Sequence, residues 1–449
     1  MGELDRHARL TPEERHARGR GLRGVVPRGS HAGWEPPEGR PGPLESLRAQ
    51  EAGRLPELLP VRHERMAESP LAFLRGAAVV MAADLAGTPV TGLTAQACGD
   101  AHLMNFGLYA SPERTLLFDV NDFDETLRAP WEWDVKRLAA SLVVAAADNG
   151  VAAEDGRAVA RAAVRSYREQ MRAYAAMGDL QVFYSRIRAE DMVADIPMAK
   201  RRRQGERVLR KAAGRGSLQA LGKLTEVVDG ELRIIEDPPL IVHADPPPDL
   251  TTARSLFDAY RLTLAADAAE LLGGYHFVDA ARKVVGVGSV GTRCHVVVLA
   301  GRDAGDPLVL QVKEAGRSVL EPYAAPCAFR HQGRRVVVGQ RLMQSSSDPF
   351  LGWGSDDQGR DYYWRQLRDM KASVDVTRLD ARAMTFYGAY CARSLALGHA
   401  NTGDRIQIAG YLGSGEVFDE AVAEFAVAYA RRNARDHALF RSVERTPVG

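Results

Sequence analysis

The sequence predicts an α+β fold in which a mainly helical part is combined with an antiparallel sheet. Apolar residues recur at helical spacing between 134 and 177, and the stretch from about 359 to 443 again has mostly helical composition. Between them lie short β-branched runs separated by glycines and small polar residues, which favours antiparallel hairpins. Hydrophobic residues make up 45% and charged residues 26% of the 449 positions, the balance of a soluble globular protein.

The net charge and the cysteine spacing indicate which partners and which cellular compartments are compatible with the sequence. The formal net charge is +1, so no global field attracts nucleic acid or an anionic membrane, and neither partner is expected. The four cysteines form no C-x-x-C pair, which argues against structural zinc and favours a reducing compartment. The first residues lack the apolar core of a signal peptide, and no uncharged apolar run approaches the ~20 residues that span a bilayer. We therefore expect a cytoplasmic protein, with its oligomeric state left open.

Local signals predict the first elements in chain order. Residues 1–45 are rich in Arg, Gly, Pro and Glu and poor in aliphatic residues, which predicts an extended N-terminal arm. Pro70 favours the first turn of a helix that ends at Gly87. A strand, a loop and a second strand follow through residue 128, and Asp134 is predicted to cap the next helix.

The middle of the chain contains a boundary and a basic run. The prolines of EDPPLIVHADPPPDL (236–250) predict the boundary, and a helix near 252–272 then leads into the glycine-punctuated strands. RRVVVGQRLMQ (334–344) is a further strand candidate. KRRRQGERVLRK (200–211) is either a solvated helix face or a surface that steers an anionic substrate. The chain beyond the arm is therefore divided into three parts: 46–250, 251–345 and 346–449.

Acidic and amide side chains gather in two neighbouring stretches, CGDAHLMNFG (98–107) and LLFDVNDFDET (116–126). Asp100 and Asn105 share a predicted loop, and three carboxylates accompany a buried strand: Asp119, Asp122 and Asp124. Phosphoryl transfer needs one carboxylate that accepts the acceptor's proton, and an amide oxygen and a second carboxylate that hold magnesium. Asp and Asn also form plain surface turns. The position beside an apolar strand favours the functional interpretation.

Glycines punctuate VGVGSVGTRCHVVVLAG (285–301), and Lys313 lies on the strand predicted after it. G-x-G-x-x-G alone also fits a dinucleotide fold. Here β-branched residues follow the glycines instead of a helix, which favours a strand–loop–strand flap over a nucleotide. Lys313 can then meet the phosphates as a point charge. The nucleotide-binding candidates in the glycine segment are Gly286, Gly288, Ser289 and Gly291.

Four charged or polar residues near these clusters have roles that the sequence leaves open. Glu321 and Glu314 are rival candidates for the ion-pair partner of Lys313. Arg293, just beyond the glycines, can reach a phosphate. His102 either touches phosphate or substrate as a catalytic residue or supports its own loop by a hydrogen bond.

The motifs resemble the protein-kinase superfamily, especially its aminoglycoside and choline phosphotransferase branch. That branch carries an H-G-D-x-H-x-x-N catalytic loop and an I-D-F-x-D metal segment, and CGDAHLMN matches the loop with cysteine in place of the first histidine. The resemblance implies ATP and Mg²⁺ as cofactors, Asp100 as the catalytic aspartate and Asn105 as a metal ligand. It implies Asp122 as the metal aspartate, with Asp119 as its competitor, and Asp134 as a structural residue that ties a helix to the loop.

The order of the motifs departs from that family. Kinases place the glycine loop and lysine before the catalytic loop, whereas here the stretch from Gly286 to Lys313 lies about 200 positions after Asp100. The resemblance therefore implies a circularly permuted, two-lobed kinase-like fold. The segment 388–400 resembles the helix before the catalytic loop, with 71–86 as the alternative. At the level of the whole chain, RGAA, CGDAHLMNFG, NDFDET, PWEWDVKRLA, VGVGSVGTR and GQRLMQ resemble a bacterial family known as domain of unknown function two-two-five-two.

These observations lead to one expected activity and two alternatives. The chain is expected to transfer a phosphoryl group from ATP to a hydroxyl acceptor, with 46–250 providing the catalytic loop and metal ligands and 251–345 the nucleotide-binding sheet. Segment 346–449 would complete the catalytic lobe. Transfer of AMP to a protein is the first alternative, and a non-catalytic nucleotide-binding scaffold is the second. The acceptor, a small molecule, a peptide or a protein, is left open.

Overall fold

The computed structural model describes residues 10–214, 222, 224–228, 231–243, 250–303, 305–367 and 374–444. Its helices are α1 (Pro12–Gly21), α2 (Pro43–Glu51), α3 (Leu59–Ala67), α4 (Pro70–Gly76), α5 (Ala78–Ala86), α6 (Trp131–Asp148), α7 (Ala153–Ala175), α8 (Asp179–Phe183), α9 (Ala189–Ala194), α10 (Ala199–Ala213), α11 (Leu250–Arg261), α12 (Ala266–Gly273), α13 (Gln332–Met343), α14 (Ala381–Thr402), α15 (Arg405–Leu412) and α16 (Val417–Glu444). The strands are β1 (Thr94–Ala97), β2 (Phe106–Ala110), β3 (Leu116–Val120), β4 (Leu127–Pro130), β5 (Thr225–Val228), β6 (Glu231–Ile234), β7 (Ile241–Val242), β8 (His276–Lys283), β9 (Cys294–Ala300), β10 (Pro307–Glu314), β11 (Gly352–Ser355) and β12 (Asp361–Gln366).

The α+β prediction is confirmed, and every described strand pair is antiparallel. One sheet has six strands in the order β11-β12-β10-β9-β8-β7, and two-stranded pairs join β1 with β4, β2 with β3, and β5 with β6. The sequence predicts the sheet within residues 251–345. The large sheet extends beyond position 345, because β12 pairs with β10, the strand that carries Lys313.

The helical part is built around α6, α7, α14 and α16. The buried residues of α7 recur every four positions, at Val159, Ala163, Tyr167 and Met171, so one face of the helix meets the core. Trp131 stacks on Tyr167 at 5.6 Å between ring centroids. Among the described helices, none combines the length and apolar content needed to cross a membrane.

The predicted extended arm is wrong for its described residues, 10–45. Thr11 accepts a hydrogen bond from the Glu14 N–H while the Glu14 carboxylate accepts one from the Thr11 N–H, so a capping box starts α1. Arg15 forms an ion pair with Asp404 at 2.8 Å. The segment is therefore ordered by long-range ion pairs and a local cap, which its low aliphatic content does not reveal. Residues 1–9 lie outside the described part.

Two further element predictions are corrected. The strand candidate 334–344 is helix α13, whose buried residues Val336, Val337 and Met343 have helical spacing. Three consecutive valines resembled a strand, but tertiary packing overrides that preference. The stretch VVGVGSV (284–290), expected to be strand-like, is a turn that contains a 3₁₀ helix (Val287–Ser289), and the strand lies earlier, in β8.

Candidate functional site

The loop between β1 and β2, called here the Asp100 loop (98–105), is fixed by a carboxylate of α6. Asp134 accepts hydrogen bonds from the backbone N–H of Cys98 at 2.6 Å and of Gly99 at 3.0 Å. Helix α6 begins at Trp131, so Asp134 does not cap it as predicted but ties it to the loop. Gly99 has φ +83°, and a Cβ atom there would lie 2.2 Å from the Glu125 carbonyl oxygen. The loop therefore requires glycine at this position.

Asp100 is held by a buried arginine. The Arg137 Nε donates to the Asp100 Oδ1 at 2.6 Å, and the His102 Nε2 lies 3.7 Å from Oδ2. Burial raises the pKa of Asp100 above its ordinary value, while the positive charges of Arg137 and Arg75 act in the opposite direction. The carboxylate is thus oriented by a cation and made more basic by its surroundings.

The other polar side chains of the loop are also oriented. The His102 Nδ1 accepts a hydrogen bond from the Met104 N–H at 3.2 Å, so His102 supports the loop. Burial, together with Arg75 and Arg137, lowers the pKa of His102 well below its ordinary value and keeps it neutral. The Asn105 Nδ2 donates to the Asp100 carbonyl oxygen at 2.7 Å, which leaves the amide oxygen as the acceptor end of the side chain.

Asp119 lies away from the acidic segment (121–125) in space, although the two are adjacent in sequence. Asp119 is 1% exposed and accepts hydrogen bonds from the Ser394 hydroxyl at 2.5 Å and from the Ser345 N–H at 2.8 Å. It does not line the cavities described below. Asp119 is therefore held in the buried contact between β3 and α14, away from the cavities, which argues against its candidacy as a metal ligand.

Lys313 lies against the acidic segment. Its Nζ contacts the Asp124 carboxylate and lies 3.7 Å from the Asp122 Oδ2. Burial acts to lower the pKa of Lys313, but the charges of Asp122 and Asp124 outweigh it and raise the pKa well above its ordinary value. Burial acts to raise the pKa of Asp124, but Lys313 and a hydrogen bond from the Tyr363 hydroxyl lower it to about 2. The two groups therefore remain a charged pair.

This pairing corrects the predictions for three charged residues. Glu314 forms an ion pair with Arg293 at 3.1 Å, so Glu314 is not the lysine partner. Arg293, which was predicted to reach a phosphate, does not line the cavities. Glu321 is not the lysine partner either, since Lys313 contacts the acidic segment instead. The partner of Lys313 is Asp124, which the sequence analysis did not propose for this role. Asp124 was noted as a member of the acidic run, but its spacing from Lys313 did not distinguish it from the other carboxylates.

The glycine segment (285–291) is pinned by arginines from the first helices. Arg62 donates to the carbonyl oxygens of Val287 at 3.1 Å and Gly288 at 3.0 Å. Two further arginines hold it in the same way, Arg54 through Val290 and Arg65 through Val285. No sequence pattern indicated these contacts, because the arginines precede the segment by more than 200 positions.

Not every residue of the glycine segment lines the cavity that separates this segment from the Asp100 loop. Gly286, Gly288 and Ser289 do so. Gly291 does not, since its carbonyl oxygen accepts from the Leu55 N–H at 2.8 Å and its φ of +90° serves the turn. Gly291 is therefore a structural glycine and not part of the cavity wall.

Two connected cavities bring the predicted clusters together. The smaller, about 70 Å³, lies between the Asp100 loop and the glycine segment, and the larger, about 490 Å³, extends along the large sheet. Asp122, Gly286 and Ser289 line both. The charged and polar residues that line the smaller cavity include Arg75, Asp100, His102, Asn105, Asp122 and Asp124. The larger cavity is lined by Lys313, Gln311, Gln340 and Arg365, among others.

The donor set suits a metal that is shared with phosphate oxygens. Among the described residues, no group of three His, Cys, Asp or Glu side chains is arranged to hold a metal ion. Asp122 and Asn105 nevertheless line the same small cavity and offer carboxylate and amide oxygens. Magnesium needs only one or two protein carboxylates when it keeps waters and binds a nucleotide's phosphates.

The chain belongs to the family described as "Uncharacterized protein conserved in bacteria (DUF2252)", whose model matches residues 54–443. This confirms the resemblance to that bacterial family. Neither a curated protein nor a solved structure matches the chain. The family description assigns no reaction, so the function is argued below from the site.

Proposed function

We propose that the chain is a kinase-like phosphotransferase that uses ATP and Mg²⁺ and acts on a hydroxyl acceptor. One observation carries the proposal. Lys313 lies against Asp122 and Asp124 in a cleft whose other wall contains Asp100 and Asn105, although Lys313 follows these four residues by 189 to 213 positions in sequence. A carboxylate, an amide, a lysine and a glycine turn around one cleft are the recurring parts of kinase active sites.

The strand order around Lys313 supports a kinase-like nucleotide lobe. The β8–β9 hairpin spans the glycine segment, β10 carries Lys313 beside β9, and α13 follows before β11 and β12 complete the sheet. In protein kinases the lysine pairs with a glutamate of the following helix. Helix α13 has no acidic residue, and Asp124 takes the place of that partner.

Contacts of α14 support the circular permutation. The backbone N–H of Gln96, in the strand before the Asp100 loop, donates to the Thr402 hydroxyl at the end of α14 at 3.1 Å. His399 lies 3.2 Å from Asp134, which holds the loop. The late segment 388–400 is thus next to the loop in space, which favours it over 71–86 as the counterpart of the helix that precedes the catalytic loop in phosphotransferases.

The residues of the cleft divide the chemistry of the transfer. Asp100, oriented by Arg137, would bind the acceptor hydroxyl and take its proton as the oxygen attacks. Lys313 would contact the nucleotide phosphates, with Gly286, Gly288 and Ser289 beside them. Bound Mg²⁺ would neutralise the charge of the phosphates. Asn105 and Asp122 are the residues that would hold it.

Replacing Asp100 by Asn tests the reaction. We expect Asp100→Asn to lose phosphoryl transfer by at least about 100-fold, because the amide cannot accept the proton, while Mg·ATP binding stays within a few-fold. The measurement combines calorimetric titration of Mg·ATP with mass spectrometry of bacterial extract treated with the protein and isotope-labelled ATP. The matched control is Asp155→Asn, at an exposed position of α7.

The same measurement separates the alternatives. An added phosphate supports the proposal, whereas an added AMP replaces it with AMP transfer. Equal turnover by Asp100→Asn and the parent would remove Asp100 from the mechanism. Binding of Mg·ATP without any modified product in the extract would favour a nucleotide-binding scaffold.

A further inference from the structure

Arg75 is a charged residue of the cleft that opens the family motif RGAA (75–78), but neither the sequence analysis nor the proposed roles assign it a function. It lies in the last turn of α4 and lines the smaller cavity with Asp100, Asn105 and Gly288. A Cβ atom at Gly286 would lie 3.9 Å from the Arg75 Nη2. The guanidinium therefore sits between the Asp100 loop and the glycine segment.

Arg75 differs from the other arginines that reach this region. Arg54, Arg62 and Arg65 each donate to carbonyl oxygens of the glycine segment. Within the described part of the chain, the side chain of Arg75 makes no hydrogen bond or ion pair, and its Nε is buried without an acceptor. Three arginines hold the turn, and the fourth points its donors into the cavity.

A half-buried guanidinium on a cavity wall, with its Nε buried and without an acceptor, indicates a site for an anion. Burial lowers the pKa of Arg75, and the negative charges of Asp100 and Asp122 act in the opposite direction. Arginine nevertheless remains protonated in proteins, so its unsatisfied donors carry a desolvation cost until an anion enters. A phosphoryl group, with several acceptor oxygens, matches the planar fork of donors and fits between the walls of a small cavity.

We propose that Arg75 binds the phosphoryl group while it is being transferred, an inference that rests on the proposed phosphotransferase function. In that step the acceptor oxygen forms a bond to the γ-phosphorus as the bond to the β-phosphate oxygen breaks. The bonding electron pair leaves with ADP, and the acceptor's proton passes to Asp100. Arg75 donates hydrogen bonds to the equatorial oxygens of the phosphoryl group, whose charge it stabilises from within the same chain.

The test compares ADP with a mimic of the transferring group. Calorimetric titrations measure the affinity for Mg·ADP, alone and with aluminium fluoride, in the parent, Arg75→Gln and Arg75→Lys. We expect the parent to bind the fluoride complex at least about 100-fold more tightly than Mg·ADP, as enzymes do for transition-state analogues. Arg75→Gln should lose most of this gain and keep its Mg·ADP affinity, and Arg75→Lys should retain part of it. The matched control is Arg48→Gln, an exposed arginine of α2.

Each outcome decides between the proposals. If aluminium fluoride increases the affinity of Arg75→Gln for Mg·ADP as much as it does in the parent, the proposed role of Arg75 is overturned. The phosphotransferase proposal is not affected by that result. The role is also overturned if both Arg75 variants bind Mg·ADP more weakly than the parent, by the same factor by which the fluoride gain falls. Arg75 would then only support the structure of the cleft. A parent that binds neither Mg·ADP nor a non-hydrolysable ATP analogue overturns the proposed function itself. Thermal unfolding of each variant identifies any that fails to fold, and Arg75→Lys then decides.

Discussion

The Asp100 loop and the glycine segment face each other across one cavity, but they are held in different ways. Partners of the Asp100 loop come mainly from the next helix along the chain: Asp134 lies 36 positions from Cys98, and Ser141 lies 38 positions from Leu103. The glycine segment depends on side chains far away in sequence, since Arg62 lies 225 positions before Val287.

This difference explains why the Asp100 loop and its anchors form a recognisable sequence motif, whereas the glycine segment and its anchors do not. A loop fixed by nearby residues keeps its anchors at constant spacing, so Asp100, Asn105 and Asp134 appear as one pattern. A turn fixed by distant arginines shows only its glycines, and its support depends on the tertiary fold. Changes to the two sets of anchors should therefore act on different walls.

The largest effect is expected for Asp134→Ala. The substitution leaves the buried N–H groups of Cys98 and Gly99 without an acceptor, and each costs about 1–3 kcal/mol, so the free energy of unfolding should fall by about 4 kcal/mol. Asp134→Asn retains one acceptor oxygen and should lose about half as much. Urea unfolding measures both, and equal losses for Ala and Asn would contradict the two-bond account.

A smaller and more local effect is expected for Arg62→Met. The carbonyl oxygens of Val287, Gly288 and Gly76 lose their donor, which should lower the free energy of unfolding by about 3 kcal/mol. Amide hydrogen exchange, followed by mass spectrometry, should become faster in 285–291 and stay unchanged in 98–105. Equal acceleration in both stretches would show that the two walls open together, and the contrast between them would be lost.

How far the sequence predicted the molecule depends on the same distinction between local and distant contacts. Strand β3 and the antiparallel strands around Lys313 followed from apolar runs and turn residues, whereas the pairing of β2 with β3 was not predicted. Helix α13 was mistaken for a strand because Val336 and Val337 prefer strands locally, while their burial against the rest of the fold selects a helix.

The site shows the same limit at the level of single residues. Asp100, Asn105, Asp122 and Lys313 were identified by type and spacing, and all four line the cavities. Asp119 was not separable from its neighbours, because only the side of β3 on which it lies decides that Ser394 and Ser345 bind it. Arg75 belongs to the family motif RGAA (75–78), but nothing in that motif indicates the cavity that its side chain lines.

Glu125 joins the two walls, and its titration gives the smallest of the expected effects. Its carbonyl oxygen packs against Gly99, and its carboxylate accepts from the Val319 N–H at 2.7 Å, beyond the strand of Lys313. Burial raises the pKa of Glu125 to about 7, although the Val319 N–H acts to lower it. The folded state thus holds this proton more tightly than the unfolded chain, in which the pKa is about 4.3. The resulting stability is complete below about pH 4.3 and is lost as the pH rises through about 7.

Glu125→Gln keeps an acceptor for the Val319 N–H and removes the titration. Relative to the parent, its free energy of unfolding should therefore improve by about 2 kcal/mol between pH 4 and pH 8, a discounted share of the full pKa difference. Urea unfolding at the two pH values measures the change, with Glu154→Gln, at an exposed position of α7, as the control. If the difference between Glu125→Gln and the parent stays constant with pH, Glu125 is ionised in the folded protein at neutral pH. The junction of the two walls would then carry a full negative charge beside Asp124, which the positive charge of Arg335 would partly balance.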